Sequence, residues 1–185
     1  SLVDETLGFS LSKIILEGPT EKLQLTENTQ PAIMAVGASI FNVLNKEYGL
    51  NLNKSKFFAG HSLGEYTALV SAGSLSLEKA AYLLRARGKS MQDSVYGKPG
   101  AMLAILGMKI DEVENEISSF SKNGICEISN DNSNSQIVIS GEKEVILKFY
   151  ENLKKKKKKG ILLPVSAPFH CSLMKPAAIK MEEKI

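Results

Sequence analysis

Apolar residues between Gln30 and Gly49 recur at helical intervals: Ile33, Val36, Ile40, Phe41 and Leu44. That spacing gathers them on one side of a helix. Pro31 suits the first helical position, where its missing N–H is no loss, and Gly49 supplies a stop. Next, Lys56-Phe57-Phe58-Ala59-Gly60 reads as a short buried strand, and Glu65 to Ala72 as a helix ended by Gly73. Ser76 then caps a longer helix reaching about Ser94, with Leu77, Ala80, Ala81, Leu84, Met91 and Val95 on one stripe.

From Ala101 the rhythm shortens. Ala101 to Leu106 predicts a strand, and Asp111 with Glu114 resembles a capping box opening a helix that ends near Phe120. Ile125 to Ser129 and Gln136 to Ser140 predict two further strands joined by an Asn/Ser-rich turn. Glu142 to about Leu153 is helical in pattern, and Ile161 to Val165 forms a last strand. The order β-α-β-β-α-β is the split βαβ, or ferredoxin-like, motif. It predicts a lobe at 98–165, inserted into a partial core made of 1–97 and 166–185.

Composition narrows the classes. With 43% apolar and 23% charged residues over 185 positions, the chain has the make-up of an ordinary globular protein. No apolar run approaches the ~18 residues that cross a bilayer, and Ser1 to Ser10 has no pattern of a secretory signal. Two cysteines, Cys126 and Cys171, suggest no disulfide framework. Two histidines and two cysteines also give no ligand spacing for a metal.

The net charge of +3 conceals a run of six lysines, Lys154 to Lys159; setting it aside leaves −3. A nucleic-acid binder spreads basic residues along a face, with Arg and aromatics interleaved, whereas this chain has only Arg85 and Arg87. No nucleic-acid or membrane partner is expected. The lysine run reads as the solvated end of the helix from Glu142, favourable to its dipole. Attraction of an acidic partner is the other reading.

Gly60-His61-Ser62-Leu63-Gly64 matches G-x-S-x-G between a strand and a helix. Such a turn pushes the serine hydroxyl into the open, and glycines tolerate its crowded backbone. The helix that follows aims N–H groups at the same point, so Leu63 N–H can donate to an oxyanion. The same five residues could also be a plain loop; the flanking elements favour a nucleophile. A serine hydroxyl needs a base. His61 adjoins it on the elbow, while His170 lies in Pro168-Phe169-His170-Cys171 after the last strand, and His170 is the better candidate.

At 100° per residue, Arg87 falls in the apolar sector of its helix with Ala80, Leu84 and Met91, while Arg85 points away. A guanidinium turned inward either pairs with a structural carboxylate or awaits an anion, such as a substrate carboxylate gripped by two hydrogen bonds.

Gly60 to Tyr66, with Ala68-Leu69-Val70 and Ala72-Gly73, resembles the nucleophile segment of malonyl-CoA:acyl-carrier-protein transacylases. Gln30-Pro31-Ala32 and Arg87-Gly88-Lys89-x-Met91-Gln92 extend the resemblance, and Pro164-Val165-Ser166-Ala167-Pro168-Phe169-His170 resembles the family's second catalytic segment. The resemblance implies an α/β fold with an α/β-hydrolase-like core and a ferredoxin-like insert. It implies a ping-pong reaction in which Ser62 takes malonyl from coenzyme A and passes it to the phosphopantetheine thiol of acyl carrier protein. In that reading Ser62 and His170 are catalytic, Arg87 holds the malonyl carboxylate, Leu63 N–H serves the oxyanion hole, and Phe169 and Gln30 bind substrate.

No metal or redox cofactor is implied, coenzyme A being a substrate. A monomer is expected, in the cytoplasm of a bacterium or in the plastid, apicoplast or mitochondrial matrix of a eukaryote. Two departures stand out. The family opens with a Gly-Gln-Gly-Ser-Gln-like stretch that nothing before Gln30 matches, and it continues well past the catalytic histidine. The chain therefore reads as incomplete at both ends. Other readings of the same elbow are a serine esterase or thioesterase and a non-catalytic acyltransferase-like module; the helix-borne Arg87 favours a carboxylated acyl group.

Overall fold

The computed structural model describes residues 1–95, 97, 99–120, 122, 124–165 and 167–185. Ser166 of the second resemblance segment, and Lys98 and Ser166 as lobe boundaries, lie outside the described residues. The fold is mixed α/β, and among the described residues the strands form one four-stranded antiparallel sheet. The chain divides into two compact units, Ser1–Lys89 with Lys184–Ile185, and Ser90–Glu183.

The first unit is helical. Three short helices precede Gln30, where the sequence pattern predicted nothing: α1 (Leu2–Leu7), α2 (Leu11–Glu17) and α3 (Thr20–Gln24). A Ser1–Asp4 capping box starts α1, and Asp4 also accepts from Ser12 N–H at 2.9 Å and Ser12 Oγ at 2.6 Å, tying α1 to α2. Helix α4 spans Thr26–Lys46, so Pro31 lies inside it rather than at its first position. At the sixth position of α4, Pro31 leaves the carbonyl of Glu27 without its usual donor.

The buried face of α4 differs from the one its large apolar residues predicted. Pro31, Ala32, Met34 and Ala38 are buried, while Ile33, Val36 and Ile40 are 53%, 44% and 55% exposed. The reason is close packing: Ala32 and Ala38 share a core with Ala80, Ala81 and Leu84, a contact that admits small side chains and excludes Ile.

The strand predicted at Lys56 to Gly60 is absent; these residues are irregular, and Phe57 is 88% exposed. A strand needs a ladder partner, and all four strands of the sheet pair with one another elsewhere. Phe58 instead meets Phe41 edge-on, with ring centroids 6.0 Å apart. Helix α5 (Gly64–Ser71) ends before Gly73, whose φ of 73° only glycine adopts without cost. Helix α6 (Leu77–Asp93) starts as predicted, with Ser76 Oγ accepting from Lys79 N–H at 3.1 Å.

The second unit holds β1 (Gly100–Leu106), α7 (Ile110–Phe120), β2 (Cys126–Ser133), β3 (Gln136–Glu142), α8 (Lys143–Lys155) and β4 (Lys159–Leu162), in the β-α-β-β-α-β order predicted. The sheet order is β2-β3-β1-β4. Leu103, Ile105, Ile137, Ile139, Ile146, Phe149 and Leu153 form a closed core between the sheet and its helices. Helix α7 begins earlier than predicted: its cap is the Glu112 carboxylate accepting from Lys109 N–H at 2.8 Å, not an Asp111–Glu114 box. β4 begins at Lys159 and ends before Val165, because Pro164 has no N–H to continue the ladder.

The lysine run is accordingly not one helix end. Lys154 and Lys155 close α8, Lys157 reverses the chain at φ 55°, and Lys159 is already in β4. Lys154 pairs with Glu151, Lys156 with Glu116 at 2.5 Å and Lys158 with Glu112 at 3.6 Å, so acids of α8 and α7 meet half the run. After β4 a 3₁₀ turn (Ser172–Met174) leads into α9 (Lys175–Glu182), an element with no counterpart in the sequence prediction.

Candidate active site

The elbow around Ser62 is enforced by backbone contact. A Cβ on Gly60 would lie 1.9 Å from the carbonyl carbon and oxygen of Gly64, so only glycine fits there. Gly64 is different: a Cβ on it would meet nothing within 4 Å. Between them Ser62 has φ 53°, a left-handed conformation that costs a non-glycine residue roughly 1–3 kcal/mol. Gly64 N–H donates to His61 O at 2.9 Å and Glu65 N–H to Ser62 O at 3.2 Å, which turns the chain into α5. Leu63 stands at the N-cap of that helix, where N–H groups point outward and the dipole favours negative charge.

Arg87 and Gln30 come to the same point. Arg87 Nη2 donates to Ser62 Oγ at 3.1 Å, and Nη1 donates to Gln30 Oε1 at 2.5 Å. Gln30 is buried, and its Nε2 donates to Thr26 Oγ1 at 3.1 Å, which turns its carbonyl oxygen toward Arg87. Gly88 makes the approach possible, since a Cβ there would lie 2.5 Å from the Cα of Glu27. Thr26 was not legible as a site residue; its only signal is its place one turn before Gln30.

The two arginines have opposite partners. Arg85 donates to Glu27 Oε1 at 3.0 Å and to Asn28 Oδ1, and stacks on Phe9 with 4.8 Å to the ring centroid. Arg87 touches neutral oxygens, and among the described residues no carboxylate lies within ion-pair distance of it. Burial pushes the Arg87 guanidinium down from its ordinary pKa, with Tyr66 and Glu65 acting in the other direction. A half-buried cation held by neutral oxygens is a ready acceptor for an anion.

In the second unit His170 also has a positive φ, 58°. Its turn is built on Pro168, which packs so closely on β1 that a Cβ on Gly100 would lie 2.1 Å from the ring. Phe169 is half-buried beside Met102, Ala104 and Val138, and Ala167 is fully buried. Cys171 is buried, and its Sγ donates to Pro168 O at 3.2 Å. Burial pushes the Cys126 thiol up to about 12, with Glu127 and Cys171 adding to it, and burial raises Cys171 as well. Ser62, Leu63, Arg87 and Gln30 thus meet in the first unit, while Phe169 and His170 share a turn of the second.

Among the described residues, no group of three or more His, Cys, Asp and Glu side chains could hold a metal ion, and no helix is long and apolar enough to cross a membrane.

Residues 1–185 match the acyl transferase domain family. The chain belongs to that family. It is 43% identical over 182 residues to the malonyl CoA-acyl carrier protein transacylase of Bacillus subtilis (strain 168), covering 97% of this chain and 56% of the relative. The crystal structure of an acyl-carrier-protein S-malonyltransferase from Bartonella henselae matches with a TM-score of 0.92 and 46% identity, over 99% of this chain and 59% of that one. A type II PKS acyl-carrier protein in complex with its malonyl-transacylase matches with a TM-score of 0.89 and 38% identity, over 97% of this chain and 58% of that one. The acyl transferase chain described here therefore spans a little over half the length of these relatives.

Proposed function

We propose that this acyl transferase chain carries the site that moves a malonyl group from coenzyme A to acyl carrier protein in fatty acid biosynthesis. The observation that carries the reading is Arg87, whose guanidinium reaches Ser62 Oγ and has no carboxylate partner among the described residues. In the first half-reaction Ser62 Oγ attacks the thioester carbonyl and gives its proton to His170. The C–S bond breaks, coenzyme A leaves as a thiol with that proton, and malonyl remains as a serine ester. The phosphopantetheine thiol then attacks the ester, and Ser62 recovers its proton through His170.

Leu63 N–H faces the developing oxyanion, Arg87 grips the malonyl carboxylate, Gln30 aligns Arg87, and Phe169 shapes the acyl pocket. The relatives named for malonyl transfer, one in complex with an acyl-carrier protein, support this choice of substrates. The reading takes 1–97 and 166–185 as α/β-hydrolase-like core and 98–165 as ferredoxin-like insert. It takes the protein to be a monomer that needs no cofactor, in the cytoplasm of a bacterium or the matching organelle of a eukaryote.

The test is intact mass after brief exposure to malonyl-CoA. One malonyl adduct, absent in Ser62→Ala, is expected. An adduct on another residue, or release of free malonate at the same rate without any thiol acceptor, overturns the reading in favour of a different nucleophile or a hydrolase.

A further inference from the structure

We infer that Glu127 is a positioning residue for His170. Its carboxylate takes both donors of Ser172: the N–H reaches Oε2 at 2.7 Å and the hydroxyl reaches Oε1 at 2.6 Å. Bonds to an ionised acceptor are shorter and roughly twice as strong as neutral ones, and two from a single residue fix its rotation as well as its position. Glu127 is itself fixed, because it lies on β2 directly opposite Ser140 of β3 in the antiparallel ladder.

Only Cys171 separates this clamp from His170. Cys171 is extended, buried and bonded through Sγ to Pro168 O, while Pro168 is wedged on Gly100. The chain from Pro168 to Ser172 is therefore pinned at both ends, with the left-handed His170 between the pins. A conformation that costs about 1–3 kcal/mol persists only where its surroundings over-determine it. At the C-terminal end the Glu127–Ser172 clamp supplies that constraint. It also satisfies the Ser172 N–H, at the start of the 3₁₀ turn, which has no donor–acceptor partner within the turn itself.

The inference rests on the proposed role of His170, and its test has one readout independent of that role. The chain has two histidines, so ¹⁵N-histidine NMR gives two sets of ring signals, assigned with His170→Ala. Glu127→Gln replaces one acceptor oxygen by a donor, and Ser172→Ala removes the hydroxyl alone. Both are expected to move the His170 ring signals and leave those of His61 in place, Glu127→Gln more strongly. Ser172→Thr keeps both donors and is expected to overlay on the wild-type spectrum.

In turnover, Glu127→Gln is expected to lower kcat about ten- to a hundred-fold, the scale of a small misplacement of a reacting group, with donor KM unchanged. His170 signals that stay put in Glu127→Gln and Ser172→Ala overturn the inference, as do signals of both histidines that move together. If Glu127→Gln does not fold, the exposed Ser172→Ala decides alone. A chain that takes no malonyl at Ser62 while its His170 signals still follow Glu127 sinks the proposed function and leaves this inference standing.

Discussion

Ser62 and His170 stand at nearly the same backbone angle, φ 53° and 58°, in surroundings that share little. At Ser62 the constraint is backbone on backbone: Gly60 touches the carbonyl of Gly64, and no side chain can be inserted. At His170 it is a set of side chains: the Pro168 ring against Gly100 of β1, the Cys171 thiol on Pro168 O within the turn, and the Ser172 hydroxyl on Glu127 of β2. The first arrangement is all or nothing. The second can be loosened one group at a time, which suits the base proposed at His170, whose ring would have to be aimed rather than merely exposed.

The sharpest way to break this contrast is Gly60→Ala. The added methyl would lie 1.9 Å from the Gly64 carbonyl, so the elbow must open. In the proposed mechanism, misplacing Ser62 as nucleophile costs about 10²-fold, and losing Leu63 N–H as oxyanion donor about 10²–10³-fold more. Malonylation of Ser62 is expected to vanish in a mass assay. Gly64→Ala, in open space at the first residue of α5, is expected to change stability by no more than about 1 kcal/mol. Equal damage from the two substitutions would show that the contact at Gly60 does not set the elbow.

Arg87→Ala comes next. On the proposed reading it leaves a malonyl carboxylate without its partner at a cost of about 2–5 kcal/mol, or roughly thirty- to several-thousand-fold in kcat/KM. Acetyl-CoA has no carboxylate to lose and is expected to serve as well as before, and Arg87→Lys to rescue only in part. Parallel losses for both donors would make Arg87 a support for the elbow rather than a reader of the acyl group.

The smallest effect belongs to the His170 side. Gly100→Ala places a methyl 2.1 Å from the Pro168 ring; that ring moves only with its backbone, but the turn that carries it is held by side-chain bonds that can give. Overpacking of this kind costs about 1–3 kcal/mol. The melting temperature is expected to fall by several degrees while Ser62 still accepts malonyl, more slowly. A complete loss of the adduct would mean that the two turns are constrained alike.

What could be read from the sequence follows the same division. The elbow was legible because its cause is local, a glycine two positions before the serine with a helix behind, although Gly64 stands in open space and the strand expected before Gly60 is absent. The inward side of Arg87 was legible from helical phase, and its partner class was not. Its contact with Gln30 depends on Gly88 meeting the backbone of Glu27, an approach that no periodicity encodes. Glu127 was invisible because it meets Ser172 across 45 positions.

The β-α-β-β-α-β order of the sheet unit was predicted, though not α9 after it, because each strand pattern is bounded by turn residues. Lys56 to Gly60 was misread because a strand exists only with a neighbour to pair with. The exposed Ile33, Val36 and Ile40 mark the limit of phase arguments in a helix apolar on more than one side. There the small residues, which bring backbones close, decide which face turns inward.

Both cysteines belong to the second unit, one on β2 and one beside His170, and each holds its proton more tightly in the fold than in an open chain. An unfolded thiol releases its proton near pH 9, whereas the Cys126 thiol keeps its own until about 12. Between those values the folded form binds more protons than the unfolded one, so stability falls as pH rises. The stabilising effect of the buried Cys126 thiol is therefore complete below pH 9 and drains away in alkali, and Cys171 acts in the same direction. That drain originates on β2 and beside His170, in the unit that holds the His170 turn, and the helical unit has no thiol to add to it.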